Sequence, residues 1–489
     1  MGGLISGAIL AKEGQKVLIL ERGKKIGGLL HTFRREQRVF NTGMNYVGSL
    51  EKGGYLNNYL TYLGVMDKLN ISRLDINAFE EISFSNSPKT YFHAQGKENF
   101  YQQLVKEFPA EADSLKAYIR KIWKVTDRFP LLHLQNDEFK HKGEDYLMGG
   151  AADFIAATTQ DKRLQKVLGA TNTLYGGVKE KSPLYVHALV SRHLIDSAWR
   201  FVGGSQQLAD ALKEKVEQAG GQVINRSEVV KIATEDVKNT WIETAEGNRF
   251  YADKIISNIH PSATLKMVED SRLKQVYRKR IHNLPNTTSF FNVYLIFKSQ
   301  KFKYINRNIY HFLGDQVWLD EHDEKWPGYF IFYTSCGKQN QKWATHGTLM
   351  TSMSYKDVAQ WKGTQKAKRG DDYEAFKQKK AEQLIRELDK RIPGIKSNIQ
   401  SYYTATPLTY EHYLNTPNGT AYGVQKDHQH IYQSIIMPRT KIPNLFFTGQ
   451  NLNMHGALGV TIGGVLTTSE ILGTKYLLSK IRSSLGYTS

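Results

Sequence analysis

A chain of 489 residues with a net charge of +19 is too long for a peptide hormone, a single small module or a disulfide knot, and at about 150 residues per folding unit it has the mass of two or three. Hydrophobic residues make up 40% and charged residues 23%, which excludes the apolar-poor composition of a disordered chain. The single cysteine, Cys336, excludes an intramolecular disulfide, thiolate-rich zinc sites and Cys-x-x-Cys redox pairs, and makes a reducing, cytoplasmic compartment the expectation.

Residues 4 to 14 place Gly7, Ala8 and Ala11 at helical spacing, a slim face that can lie close to a sheet, and Gly14 supplies a C-terminal cap. Val17-Leu18-Ile19-Leu20 is a continuous apolar run of the kind found in parallel strands buried on both faces, and it ends in Glu21. In a βαβ dinucleotide fold a glycine-rich turn leads into a helix whose N-terminus carries the pyrophosphate, and an acid roughly 20 residues later holds the ribose. Gly2-Gly3 would be the end of such a turn, with Glu21 lying 18 residues after Gly3. The first strand and the first two fingerprint glycines are not in the chain as written. An ordinary αβ unit with a solvent-facing Glu fits the same residues. Arg22 to Gly28 then gives a second glycine pair, Gly27-Gly28, in a loop where backbone N–H groups can approach phosphate.

Further along, Leu115, Tyr118, Ile119, Ile122 and Trp123 share one helical face, with Lys116, Arg120, Lys121 and Lys124 around the rest. Such a basic amphipathic helix suits docking on anionic lipid, and equally a core-facing helix with a solvated outer side. Arg278-Lys279-Arg280 and Lys366 to Arg369 extend the basic surface or are solubilising runs. Phe201-Val202-Gly203-Gly204-Ser205 leads into a helical pattern of Leu208, Ala211, Leu212 and Val216 that stops at Gly220-Gly221, followed by β-rich stretches at Val223 to Ile232, Trp241-Ile242 and Lys254 to Asn258. This reads as a second pass through one sheet. Leu445-Phe446-Phe447 is a short buried-type strand, and after it come five glycines in 16 positions, Gly449, Gly456, Gly459, Gly463 and Gly464. They fit either a backbone that approaches a flat ligand and starts a helix aimed at it, or a loose loop.

Apolar runs nowhere reach about 18 residues, so membrane contact is expected to be peripheral. Lys12, Glu13, Gln15 and Lys16 interrupt the first apolar stretch, and no secretory leader is read there. The 15 histidines are scattered, Asp427-His428-Gln429-His430 reads as an exposed turn, and no metal site is expected. Walker loops and Gly-x-Ser-x-Gly elbows are absent, which removes the central residues of NTPase and hydrolase readings. No nucleic-acid partner is expected, because the aromatic residues form no recognised binding motif.

Four ordered segments resemble the FAD-dependent phytoene desaturase, carotenoid isomerase and retinol saturase superfamily, within the wider amine-oxidase-like flavoproteins, and the retinol saturase branch above all. They are Gly27-Gly28-Leu29-Leu30-His31-Thr32-Phe33, the stretch Phe40 to Gly48, Pro407-Leu408-Thr409 with His412-Tyr413-Leu414, Pro417 and Ala421-Tyr422-Gly423, and Thr448-Gly449-Gln450. Leu29 stands where many amine-oxidase-like members carry Arg, Asn41 where an acid is common, and Asn45 where the retinol saturase branch has His. The resemblance implies an α/β fold: a Rossmann-like FAD-binding domain, its first strand missing or truncated, interleaved with an α+β substrate domain. The FAD-binding part is expected from residues 1–70, 196–261 and 426–489, and the substrate-binding part from 71–195 and 262–425.

The same resemblance implies FAD as cofactor. Gly3 would flank its pyrophosphate, Glu21 hold its adenosine ribose, Gly27 and Gly28 approach its flavin side, and Val229 contact its adenine through the backbone, with Gly2, Arg22 and Leu29 beside them as further cofactor-binding residues. Gly449 and Gln450 would pack near the ribityl chain and pyrophosphate, with the helix through Gly459 and Val460 directed at the isoalloxazine. His455, Tyr422 and Glu411 are the proton-exchange candidates for catalysis, since they lie in or beside the matched motifs; a solvent-derived proton is the alternative. The implied activity is hydride transfer between FAD and a carbon–carbon bond of a lipophilic polyene or isoprenoid-like substrate, as a saturase or a desaturase. Two alternatives stand beside it: an amine-oxidase-type flavoenzyme acting on C–N bonds, and a non-catalytic basic protein bound to lipid surfaces. The partners expected are a lipophilic small molecule, an anionic membrane surface, and an external electron donor or acceptor whose identity stays open.

Overall fold

The computed structural model describes residues 1–135, 147–234, 239–319 and 325–487. Helix α1 (Gly2–Lys12) is apolar on every side, and nearly all of it is buried, as expected of a helix with no polar face. Gly14, at φ +84°, turns the chain out of it into strand β1 (Leu18–Glu21). Next come β2 (Glu80–Phe84) and β3 (Ser87–His93), an antiparallel pair, then helices α2 (Ala112–Thr126), α3 (Leu184–Asp196) and α4 (Gln206–Gln218).

Strand β4 (Gln222–Asn225) lies parallel to β1, with Leu18 opposite Gln222 and Glu21 opposite Asn225. An antiparallel meander follows, β5 (Val229–Ala233), β6 (Trp241–Thr244) and β7 (Arg249–Tyr251). Strand β8 (Ile255–Ser257) leads to the larger sheet: β9 (Ser289–Phe297), β10 (Asn308–Phe312), β11 (Tyr329–Thr334), β12 (His346–Met353) and, after the long helix α5 (Asp371–Arg391), β13 (Ile399–Ala405). The chain closes through α6 (Pro407–Leu414), β14 (Leu445–Phe447) and the glycine-rich α7 (Gly456–Leu472).

The described strands form six sheets, and two bodies of sheet frame the site. The first is grouped around α1, which packs against both α4 and α7, and includes two separate parallel pairs, β1–β4 and β8–β14. The inner edges of β1 and β8 line one cavity. The second is a seven-stranded mixed sheet in the order β13-β9-β12-β11-β10-β2-β3, antiparallel except where β2 joins β10. Side chains alternate across a strand, and this sheet uses both faces. Phe291, Val293, Leu295, Phe330, Phe332 and Leu349 pack with Leu384, Ile385 and Leu388 of α5. Their neighbours Phe290, Tyr310, Tyr329, Ile331, Tyr333 and Met350 face the opposite way and join the main core. Helix α2 spends its apolar face in that core through Leu115, Tyr118, Ile119 and Ile122, leaving Lys116, Arg120 and Lys124 exposed. Among the described residues no helix is long and apolar enough to cross a membrane.

Candidate functional site

One cavity of about 1710 Å³ runs between the two bodies of sheet, well above the ~300–1,000 Å³ of a common small-molecule pocket. Its wall is assembled from segments far apart in sequence: the N-terminus of α1, β1 with the loop after it, β8 and the meander, the end of α6, and the start of α7. Ligands of open parallel sheets bind beyond the carboxyl ends of the strands, and Glu21 and Asn258 stand at those ends of β1 and β8.

At α1 the helix opens directly onto the cavity with no side-chain cap, so its first backbone N–H groups are available to an anion. A methyl group at Gly2 would lie 2.8 Å from the Cα of Gly449. Only a bare backbone lets the start of the helix, Asn258 and the loop after β14 meet. Glu21 is preset by its own loop, since the N–H of Gly23 donates to its Oε1 at 2.6 Å. Arg22 reaches across to α6 and donates to the carbonyls of His412 at 2.9 Å and Tyr413 at 3.3 Å, a favourable place for a cation at a helix C-terminus. Gly27 has φ +109°, a conformation that favours glycine.

Gly2, Gly3, Glu21, Arg22, Gly27, Gly28, Leu29, Val229, Gln450 and Val460 all lie on the cavity wall. Gly449 and Gly459 lie behind it as spacers, where a methyl group at Gly459 would come 2.8 Å from the backbone of Met454. His455 and Tyr422 are brought together, with ring centroids 4.7 Å apart, and Tyr422 Oη donates to the Thr173 carbonyl at 3.4 Å. Glu411, on α6, shares the wall, but Tyr355 Oη donates to its carboxylate at 2.8 Å, which ties it to the turn after β12.

Burial sets the electrostatics at the His455 end. It lowers the His455 pKa to about 4, with a smaller push from Lys426, and raises that of Tyr422 well above the ordinary tyrosine range. Both rings are therefore neutral near pH 7. Lys426 is itself buried, donates to the carbonyls of Ser434, Asn451 and Leu452 at 2.9, 3.0 and 2.7 Å, and has its pKa lowered to about 7 by that burial. It fastens the loop that presents His455. Two buried nitrogens on the wall, Nε2 of His31 and Nε2 of His455, have no hydrogen-bond partner within the protein, and such buried polar atoms call for a partner, a bound ligand or a water.

Several wall residues escape the sequence reading. Tyr333 and Met350 arrive from β11 and β12 of the large sheet, and Leu189, Val190 and His193 from α3. Nothing local marks them, because only the pairing of distant strands turns these side chains inward. Asn258 carried a weak signal as the polar residue ending an apolar strand.

The uncapped helix start, the bare glycine contact, the strand-end acid and the orphaned ring nitrogens fit a dinucleotide, with room beside it for a second molecule. Comparison with known proteins agrees. The profile of the flavin containing amine oxidoreductases matches residues 1–465. The chain is 25% identical to the all-trans-retinol 13,14-reductase of Macaca fascicularis, over 96% of this chain and 84% of that one. It is 23% identical to the chloroplastic prolycopene isomerase of Daucus carota, over 96% and 78%. A putrescine oxidase structure superposes with a TM-score of 0.65 at 13% identity, covering 96% of both chains.

Proposed function

Because the chain belongs to the flavin-containing amine oxidoreductases, we propose that it is an FAD-dependent oxidoreductase that acts on a carbon–carbon bond of a lipophilic polyene or isoprenoid-like substrate. The observation that carries the substrate class is the chemistry of the inner wall. Leu174, Leu189, Val190, Leu194, Tyr333 and Met350 make a broad apolar and aromatic surface. The wall's carboxylates, Glu21, Glu228, Asp253 and Glu411, come from other segments, and none of these six side chains carries a counter-charge for an ammonium group. It suits a hydrocarbon, and the retinol reductase and carotenoid isomerase relatives support the same reading.

Bound in the cavity, the flavin supplies hydride exchange with a substrate carbon. The N–H groups at the start of α1, beside Gly2 and Gly3, would hold the pyrophosphate, and Glu21 the adenosine ribose. Gly27, Gly28 and Leu29 would border the flavin side, and Val229 the adenine. His455 and Tyr422 would form a neutral end wall, while the apolar surface orients the polyene and excludes water. The basic outer side of α2 would suit approach to an anionic bilayer that supplies such a substrate.

The test is anaerobic photoreduction of the purified flavoprotein followed by addition of retinoid or carotenoid polyenes. Return of the oxidised flavin spectrum, with a blue shift of the polyene as conjugation is lost, is the expected result. Inertness to every polyene, with rapid flavin reduction by amines and release of hydrogen peroxide, would instead assign the C–N chemistry of an amine oxidase.

A further inference from the structure

A buried acid stands behind the cavity's inner wall. Glu80, on β2, is 1% exposed and accepts a hydrogen bond from Tyr46 Oη at 2.6 Å on Oε1. Its Oε2 lies 3.0 Å from Nδ1 of His93, on β3. Tyr46 Oη is also 2.6 Å from Tyr310 Oη. With the Tyr46 hydrogen directed at Glu80, Tyr310 is the donor in that contact. Of the four, Tyr46 lies on the cavity wall, beside Tyr333. His93 is 2% exposed, and its Nε2 has no hydrogen-bond partner.

A carboxyl group is costly to bury and is kept where hydrogen bonds compensate it. Set behind a tyrosine, Glu80 cannot pair directly with a substrate cation. It can exchange a proton with the cavity through the Tyr46 hydroxyl. Burial and the neighbouring Glu80 hold the Tyr46 pKa well above the ordinary tyrosine range, so the tyrosine passes protons on and does not stay ionised.

We propose, resting on the polyene reading above, that Glu80 stores and Tyr46 delivers the proton that accompanies hydride transfer to the substrate. When Oε1 of Glu80 is protonated, the 2.6 Å hydrogen bond reverses and the hydrogen of Tyr46 is free to turn to the cavity. Where a bound flavin would supply hydride to one alkene carbon, the Tyr46 O–H bond would break and a C–H bond would form on the adjacent carbon. The Oε1–H bond of Glu80 breaks as Tyr46 regains its hydrogen. The substrate has gained a hydride and a proton, and Glu80 is left as a carboxylate facing Tyr46 and His93. The next proton returns to Glu80 from the cavity through the Tyr46 hydroxyl, since of these groups only Tyr46 reaches the cavity wall and Nε2 of His93 is buried without a partner. Desaturation runs the same steps backwards.

Two arms test this on the flavin-loaded protein. In the first, Tyr46→Phe and Glu80→Gln should each slow polyene-dependent reoxidation about 100-fold or more, with flavin content and polyene binding kept. Glu80→Asp should recover part of the rate. Native rates in both Tyr46→Phe and Glu80→Gln overturn the proposal, and if Glu80→Gln fails to fold, Tyr46→Phe carries the kinetic reading alone. The second arm needs no substrate. Photoreduction adds negative charge to the cavity and favours protonation of a nearby acid. An infrared difference spectrum should then show a carboxylic C=O band that shifts in deuterium oxide and is lost in Glu80→Gln. A spectrum with no Glu80-dependent band overturns the proton store. If no polyene reoxidises the native protein, the substrate assignment falls while this second arm still decides the role of Glu80.

Discussion

Glu21 is small in area and large in expected effect. Its carboxylate is oriented by the Gly23 N–H, and hydrogen bonds to a charged group contribute about 1.5–3 kcal/mol. Glu21→Ala should weaken FAD binding about 10- to 100-fold, measured by quenching of flavin fluorescence on titration into the cofactor-stripped protein. An unchanged affinity would remove the ribose role. His455 makes a pH prediction. Its folded pKa is about 4 against about 6.5 when unfolded, so between those values the unfolded chain binds the extra proton and stability falls as pH falls. His187 and His193, lowered to about 3, and His311 and His346, lowered to about 4, add to the same slope. Urea unfolding should therefore lose stability steadily from pH 6.5 to pH 4, and His455→Phe should flatten that loss by up to ~1.4 kcal/mol per pH unit. A parallel slope in the variant would show that His455 is not the buried neutral ring described.

Among the secondary-structure elements, β11 shows how one strand serves two tasks. Phe332 packs beneath α5 while the next residue, Tyr333, faces the cavity. Phe332→Ala should cost about 3–5 kcal/mol of stability in thermal or denaturant unfolding and leave the bound flavin's absorbance unchanged. A flavin shift without loss of stability would reverse the assignment of the two faces. Periodicity made several elements legible. The apolar runs give strands at Leu18–Glu21 and Leu445–Phe447, the second buried as expected and the first half-exposed because it lines the cavity, and the small-residue stretches after Gly2 and Gly456 are buried helices. The apolar stripe of α2 is core-facing. Less legible was whatever depends on partners far along the chain. The parallel pairing of β1 with β4 and of β8 with β14 joins residues about two hundred apart, and no local signal encodes that choice. For the same reason Tyr46 was readable as part of a motif, while Glu80, His93 and Tyr310, which give its hydroxyl a use, were not. They meet only once β2, β3 and β10 pair.

Considered as one object, the molecule has a cavity wall drawn from residues near positions 1–31, 43–47, 189–194, 227–267 and 411–460, with Tyr333 and Met350 from the large sheet. Anything that spans it touches nearly every part of the fold at once. Such a guest is a thermodynamic rivet, because it is gripped only when all those stretches are assembled and has nothing to hold in the unfolded chain. By mass action, free FAD at 100 times its dissociation constant adds about 2.7 kcal/mol, so the melting temperature should climb with the logarithm of added FAD, as scanning calorimetry would record; a melting temperature indifferent to FAD would mean that the nucleotide does not bridge these segments. Vitamin supply would then govern how long the protein persists as well as how fast it turns over. A cell short of riboflavin would lose the chemistry first and then the protein itself to its proteases.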